Sequence, residues 1–419
     1  MIVHEELASV GQRMLWLMNH YRGGDGRLNY PLLLRIRGPL RLPRLHRALD
    51  LLVERHETLR TTFARRRGLL TQQVRAPEPV AVRTVQLPSG AEEELRRLVR
   101  QEVETPIDPT VSPVRVTLWR LGAEDHLLCL NAHHLVTDAW SSRLLTDELV
   151  HVLGEQGSPL PRVRWQYRHF TQWQRRQSTA ERLRADREYW LRRLDGVVPL
   201  GLSRVAGSPG PRPGGNRTIR LDLDPATAGR VREIARAERA TPFTVLLALY
   251  YLALHQETGC RDLSVTAPFA SRSRPETAQT VGLFANLVIL RTQLGPDLAL
   301  ADLIERTKLT VTEALAHQEF PYYLLPLNDG GTRPDRFDDV VFQMLPELPP
   351  PISLGDLDVE VVPPEITGRF DLELVVLPHR DGFRALVQYA SDRFADDVAL
   401  RLASRYETTV GKVVSTNAS

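Results

Sequence analysis

Residues 131–142 read Asn-Ala-His-His-Leu-Val-Thr-Asp-Ala-Trp-Ser-Ser, which puts His133 and His134 five and four residues ahead of Asp138. An imidazole that titrates near neutrality can take a proton from an attacking amine or hydroxyl, or hold that nucleophile while a tetrahedral intermediate forms. Spacing alone is weak evidence, because with 12 histidines about one His-x-x-x-Asp match arises by chance. A second match, His46 with Asp50, sits among Leu42, Leu45, Leu49 and Leu52, a helical pattern that makes the pair neighbours on a solvated face. No Gly-x-Ser-x-Gly elbow occurs, and neither Cys129 nor Cys260 has an activating or metal-ligating neighbour, so covalent acyl-enzyme chemistry lacks a nucleophile and no metal site is expected. A histidine without a nucleophile points to direct transfer between two bound substrates. On the residues alone, His134 is either a working base or a satisfied buried histidine. Asp138 either orients it or pairs with a buried arginine, for which Arg272 in Pro-Phe-Ala-Ser-Arg is the right type.

The motif needs a scaffold, and the surrounding pattern supplies one. The stretch from His126, His-Leu-Leu-Cys-Leu-Asn-Ala-His-His, is apolar on both faces and predicts a buried central strand with the histidines at its exit. Residues 141–153 carry Leu144, Leu145, Leu149, Val150 and Leu153 at helical spacing. The motif therefore occupies a strand-to-helix loop, where a rigid framework leaves side chains reachable. Strand alternation lets only one of the two histidines face a given cavity. Further strands are predicted at 31–38 and from Val114, Arg217, Asp262 and Asn286. Helices are predicted at 43–56, 90–104, 179–194 and 299–317, and from Ala226 and Pro242. A Gly/Pro-rich break at 203–216 lies near mid-chain, and like element content on either side suggests two α/β sandwiches, divided here as 1–178 and 179–419.

A chain of 419 residues suits two domains, and 42% hydrophobic with 25% charged residues is an ordinary globular composition. Of 54 basic residues only Lys308 and Lys412 are lysines, and the basic runs at 95–101 and 174–177 are mixed with leucines or lie on helical patterns, which excludes a dedicated nucleic-acid surface. The absence of a long apolar run or a basic-then-apolar leader leads to the expectation of a cytoplasmic protein, with both cysteines reduced and no membrane association.

The motif loop resembles the His-His-x-x-x-Asp-Gly motif of condensation domains from nonribosomal peptide synthetases, relatives of chloramphenicol acetyltransferase. Other segments resemble the family's remaining motifs in order: 9–16 the first, Arg-His-Glu-Thr-Leu-Arg-Thr-Thr-Phe at 55–63 the second, and 167–173 the fourth. Residues 267–272 with 281–288, then 317–325 and weakly 338–344, follow. The resemblance implies an α/β fold of two acetyltransferase-like subdomains in a V, with a substrate tunnel at their interface. It implies a condensation-type acyltransferase that joins a carrier-bound acyl or aminoacyl thioester to an amine or alcohol in specialised-metabolite biosynthesis. His134 becomes the catalytic residue, His133 a structural one, and Asp138 the salt-bridge partner of Arg272. Ala139, Trp140, Ser141, Asn286 and His317 are expected beside the tunnel. Trp140 reads more readily as a packing aromatic at a helix start than as a substrate contact, and His317 equally as a helix-end cap.

No bound cofactor is implied, since substrates arrive on the phosphopantetheine of carrier proteins, one as donor and another or a small molecule as acceptor. The chain is expected to be monomeric, and its Met1 start favours a free-standing enzyme over an excised domain. Rival readings are a coenzyme A-dependent acyltransferase and a silent domain that recruits another enzyme to a carrier-bound chain. Two residues depart from the family pattern. Ala139 replaces the usual glycine, adding a methyl group where φ could be positive or a backbone amide could meet the thioester oxygen. His169 stands where the fourth motif commonly has aspartate. Arg55 and Arg60 read as fold-holding ion pairs, and Tyr167, Phe170 and Trp173 as a core stripe.

Overall fold

A computed structural model describes residues 1–21, 26–154, 160–177, 181–198, 200, 202, 215–296, 299–325, 340–363, 368–379 and 381–415. Residues 203–214 of the Gly/Pro-rich break at 203–216, and residues 338 and 339 of the last motif, lie outside the described residues. Two compact units are found: Met1–Leu183 with Ala270–Ala285 and Leu348–Ile366, and Arg184–Phe269 with Asn286–Glu347 and Thr367–Ser419.

The first unit opens with β1 (Ile2–Leu7), α1 (Val10–Tyr21), β2 (Asn29–Arg37), α2 (Leu42–Arg55), β3 (Thr61–Arg66), β4 (Leu69–Arg75) and β5 (Val82–Gln86). It continues through α3 (Glu92–Glu104), β6 (Val114–Arg120), β7 (Asp125–His133), α4 (Ala139–Leu153) and α5 (Tyr167–Gln177). Helix α6 (Glu181–Arg193) leads into β8 (Asn216–Leu223), α7 (Pro225–Ala237), α8 (Pro242–Thr258), β9 (Asp262–Phe269), β10 (Asn286–Gln293), α9 (Leu300–Ala316) and β11 (Val340–Met344). Strands β12 (Ile352–Leu354) and β13 (Leu357–Val362) return to the first unit, and β14 (Leu372–His379), β15 (Gly382–Ala390) and α10 (Asp396–Ser415) complete the second.

Among the described residues the first unit's large sheet runs β12-β13-β2-β7-β6-β5, with β1-β4-β3 as a separate antiparallel sheet. Strand β7 is central, as its two apolar faces require. Leu128, Leu130 and Ala132 pack with Leu45 and Leu49 of α2 and Leu145 and Leu149 of α4, while Leu127 and Cys129 pack with Leu95 of α3 and Trp119. Each such leucine contributes roughly 1.5–3 kcal/mol by leaving water. Pro43 sits in the first turn of α2, whose buried face is Leu45, Ala48, Leu49, Leu52 and Val53, and the extended His56 ends the helix. Gly38 lets β13 join this sheet: its φ is +108°, and a Cβ there would overlap the Asp356 carbonyl oxygen.

The second unit carries one sheet, β10-β9-β11-β14-β15-β8, parallel at β9-β11-β14 and antiparallel elsewhere. Helix α8 contacts α7, α9 and α10 and is buried almost throughout from Thr244 to Leu254. The Thr241 hydroxyl accepts from the Thr244 amide at 3.2 Å to open it, and left-handed Gly259 closes it. Both units are thus mixed α/β layers. Among the described residues no helix is long and apolar enough to cross a membrane.

Candidate active site

Strand β7 carries pairing up to the motif. Asn29 and Tyr30 of β2 lie opposite His133 and Ala132, and the His134 amide donates to the Leu28 carbonyl at 2.7 Å. Alternation then separates the histidines. His133 takes the face of Asn29 and Asn131, whose amide groups donate to main-chain carbonyls of Val103, Thr105 and Glu102. Its Nδ1 accepts from the Leu135 amide at 3.1 Å, and burial pushes its pKa down to about 4 against a weaker pull from Asp108. His133 is therefore a buried imidazole whose surroundings favour the neutral form.

His134 is half-buried on the opposite face, with Nδ1 2.6 Å from the Thr137 carbonyl oxygen. A carbonyl only accepts, so Nδ1 carries the hydrogen and the lone pair of the neutral ring is at Nε2. The Tyr30 ring lies 5.3 Å from the imidazole, centroid to centroid.

Asp138 is the N-cap of α4 and a hub. Its Oδ1 accepts from the Ser141 amide at 2.8 Å and from Arg272 Nη2 at 3.2 Å; Oδ2 accepts from the amides of Phe284 at 3.0 Å and Ala285 at 3.3 Å. Both partners of the Asp138–Arg272 pair are buried. Burial pushes the guanidinium pKa down and Asp138 opposes that shift. Arg272 also donates to the carbonyls of Thr277 and Thr280 and lies 4.0 Å from the Phe284 ring centroid. The carboxylate thus fastens the segment Ala270–Ala285 to the start of α4.

Ser141, expected beside a tunnel, is fully buried instead. Its hydroxyl donates to the Gly282 carbonyl at 2.9 Å and accepts from the Gly282 amide at 3.0 Å and from Arg272 at 2.9 Å. Gly282 is required here because a Cβ would come within 2.7 Å of Tyr167 Cγ. Trp140 is half-exposed and donates from Nε1 to the Ala278 carbonyl at 2.9 Å. Ala139 is exposed in the first turn of α4; the non-glycine residues with positive φ among the described residues are Arg67, Arg239, Ser271 and Asp381. The methyl group at 139 therefore carries no backbone strain.

Asn286 and His317 belong to the second unit and serve as clamps there. The Asn286 amide donates to the carbonyls of Gln318 and Phe320 and its oxygen accepts from the Tyr322 amide. His317 ends α9, with Nδ1 2.6 Å from Asp186 of α6 and its ring stacked 3.9 Å from Tyr189. Arg55 pairs with Glu148 of α4 at 2.8 Å, as an ion pair should; Arg60 instead donates to the main-chain carbonyls of Val53 and Arg75. His169 Nδ1 accepts from the Gln166 amide at 3.1 Å, doing for α5 what the family's aspartate can do at a helix start. Thr137, Tyr30, Gly282 and Phe284 were not singled out by sequence. Thr137 and Tyr30 act through a carbonyl and a strand register, neither of which residue type reveals.

The pattern from residue 4 to residue 419 matches the family described as the condensation domain. The chain belongs to the condensation domain family. Cyclosporin synthetase simA of Tolypocladium inflatum is 29% identical over 411 residues, which cover 96% of this chain and 3% of that protein. Tyrocidine synthase 3 of Brevibacillus parabrevis is 28% identical over 408 residues, 95% of this chain and 6% of that one. This condensation domain therefore spans less than a tenth of the length of these curated relatives. Among solved structures, the SgcC5 protein of Streptomyces globisporus is 25% identical with a TM-score of 0.78, covering 93% of this chain and 92% of that one. The first condensation domain of the calcium-dependent antibiotic synthetase shares the fold at a TM-score of 0.83, covering 100% and 98%. The teicoplanin X-domain shares it at 0.84, covering 99% and 96%.

Proposed function

We propose that this chain catalyses acyl transfer from a carrier-protein thioester to an amine or alcohol, with His134 handling the proton. The carrying observation is the 2.6 Å contact of His134 Nδ1 with the Thr137 carbonyl, which presents Nε2 as the basic nitrogen. Nε2 takes a proton from the acceptor as its nitrogen or oxygen attacks the thioester carbonyl. The tetrahedral intermediate then expels the phosphopantetheine thiolate, which recovers that proton from the imidazolium. A C–N or C–O bond forms, a C–S bond breaks, and no external redox partner is needed. Two tethered substrates make the attack effectively unimolecular, so positioning carries much of the rate. A hydroxyl acceptor stays open beside an amine because the SgcC5 protein was crystallised with a 1,2-ethanediol derivative.

The test compares wild type with His134→Ala and His134→Asn, using an acyl-loaded carrier and candidate acceptors. Loss of roughly 10²–10⁴-fold in single-turnover rate, with melting temperature unchanged, supports this role. Undiminished transfer in both variants would refute it. Equal turnover of the coenzyme A thioester would favour the carrier-independent reading. The teicoplanin X-domain has been solved in complex with OxyB, and recruitment of an enzyme without transfer is the corresponding alternative for this chain.

A further inference from the structure

The hydrogen bond at Nδ1 fixes which nitrogen of His134 is basic. Strand register supplies a second restraint. Tyr30 lies directly opposite Ala132 in the antiparallel β2–β7 pair, and Ala132 and His134, two residues apart, share one face. Tyr30 and His134 are thus diagonal neighbours, within reach of an aromatic side chain, and Ala132 between them is small enough to let the rings meet. Their centroids are 5.3 Å apart with planes at 41°, a separation typical of attractive aromatic pairs. The bond from the His134 amide to Leu28 holds this register; a slip of one residue would turn Tyr30 to the other face.

We propose that Tyr30 is a positioning residue for His134, its ring holding the imidazole at the angle from which Nε2 meets the nucleophile. The inference rests on the reading of His134 as the proton-handling residue. It assigns the effect to the ring face and not to the phenol hydroxyl. Removing the ring should slow the chemical step and leave acceptor binding alone, since small misplacements of a reacting group cost rate.

The test uses the full chain carrying Tyr30→Phe, Tyr30→Leu or Tyr30→Met, the last filling comparable volume should leucine impair folding. Two quantities are read: the ¹⁵N signals of the His134 imidazole, assigned with His134→Gln, and single-turnover transfer across acceptor concentrations. Tyr30→Phe should match wild type in both. Tyr30→Leu and Tyr30→Met should shift the imidazole signals and their titration midpoint and lower the limiting rate roughly 10- to 100-fold, with the half-saturating acceptor concentration within about twofold. Unchanged imidazole signals in the leucine and methionine variants would overturn the proposal. So would a phenylalanine variant as slow as leucine, which would assign the effect to the hydroxyl. If wild type itself transfers nothing, the reading of His134 fails, and the imidazole signals still decide whether Tyr30 positions the ring.

Discussion

Asp138 is the most connected carboxylate of the motif loop. It meets a helix N-terminus, a buried guanidinium and two main-chain amides of Phe284 and Ala285. Asp138→Asn keeps a good cap but leaves Arg272 as a buried charge without its counter-ion. We expect about 3–5 kcal/mol of destabilisation in urea melts, and more for Asp138→Leu, which also leaves the amides of Ser141, Phe284 and Ala285 without their acceptor. Equal losses in the two cases would contradict this assignment. The Asp138–Arg272 pairing was legible from residue types and the family resemblance. The grip on Phe284 and Ala285 was not, because backbone amides leave no mark in a sequence and lie 146 and 147 residues away. The three hydrogen bonds of the Ser141 hydroxyl, two to Gly282 and one to Arg272, were hidden for the same reason.

Helix starts and loop anchors set the next level of organisation. The hydroxyl of Tyr167, at the start of α5, donates to Leu283 at 2.6 Å and contacts Ser9 Oγ at 2.9 Å, so its ring cannot retreat from a side chain at 282. Gly282→Ala should therefore cost roughly 3 kcal/mol by overpacking. Tyr167→Leu in the same chain should recover part of that loss in a double-mutant cycle; strict additivity would contradict the contact. His169 caps α5 only when Nδ1 is unprotonated. Burial and then Arg168 push its pKa below the ordinary value, so its contribution is present above about pH 6.5 and is lost as pH falls below it. His169→Asp should keep the cap, add roughly 0.5 kcal/mol through the helix dipole and remove that pH step in thermal melts. The elements around the motif were legible because β7 and α4 have clear apolar patterns. Insertion of β12 and β13 beside β2 was not, since a short strand's pattern does not name its partner.

Across the molecule, two buried groups pull stability in opposite directions with pH. His133 has a folded pKa near 4, below its unfolded value, so stability present above pH 6.5 is lost as pH falls toward 4. Glu373 of β14 accepts from the Arg369 amide at 2.7 Å and from Gln343 at 2.9 Å, and burial pushes its pKa up to about 7. Its contribution is present at low pH and is lost as pH rises from about 4.3 through 7. The two slopes offset each other between about pH 4.5 and 6.5. Glu373→Gln should raise stability at pH 8 by roughly 1–3 kcal/mol and expose a steeper fall on acidification. An unchanged profile would show that Glu373 ionises without penalty.

Intact-mass spectrometry of both species reads directly whether acyl mass leaves a loaded carrier and arrives on an acceptor in the presence of this chain. The proposed acyl transfer predicts stoichiometric delivery with return of the free phosphopantetheine thiol. A loaded carrier that binds the wild-type chain yet keeps its acyl group against every amine and alcohol offered would contradict it.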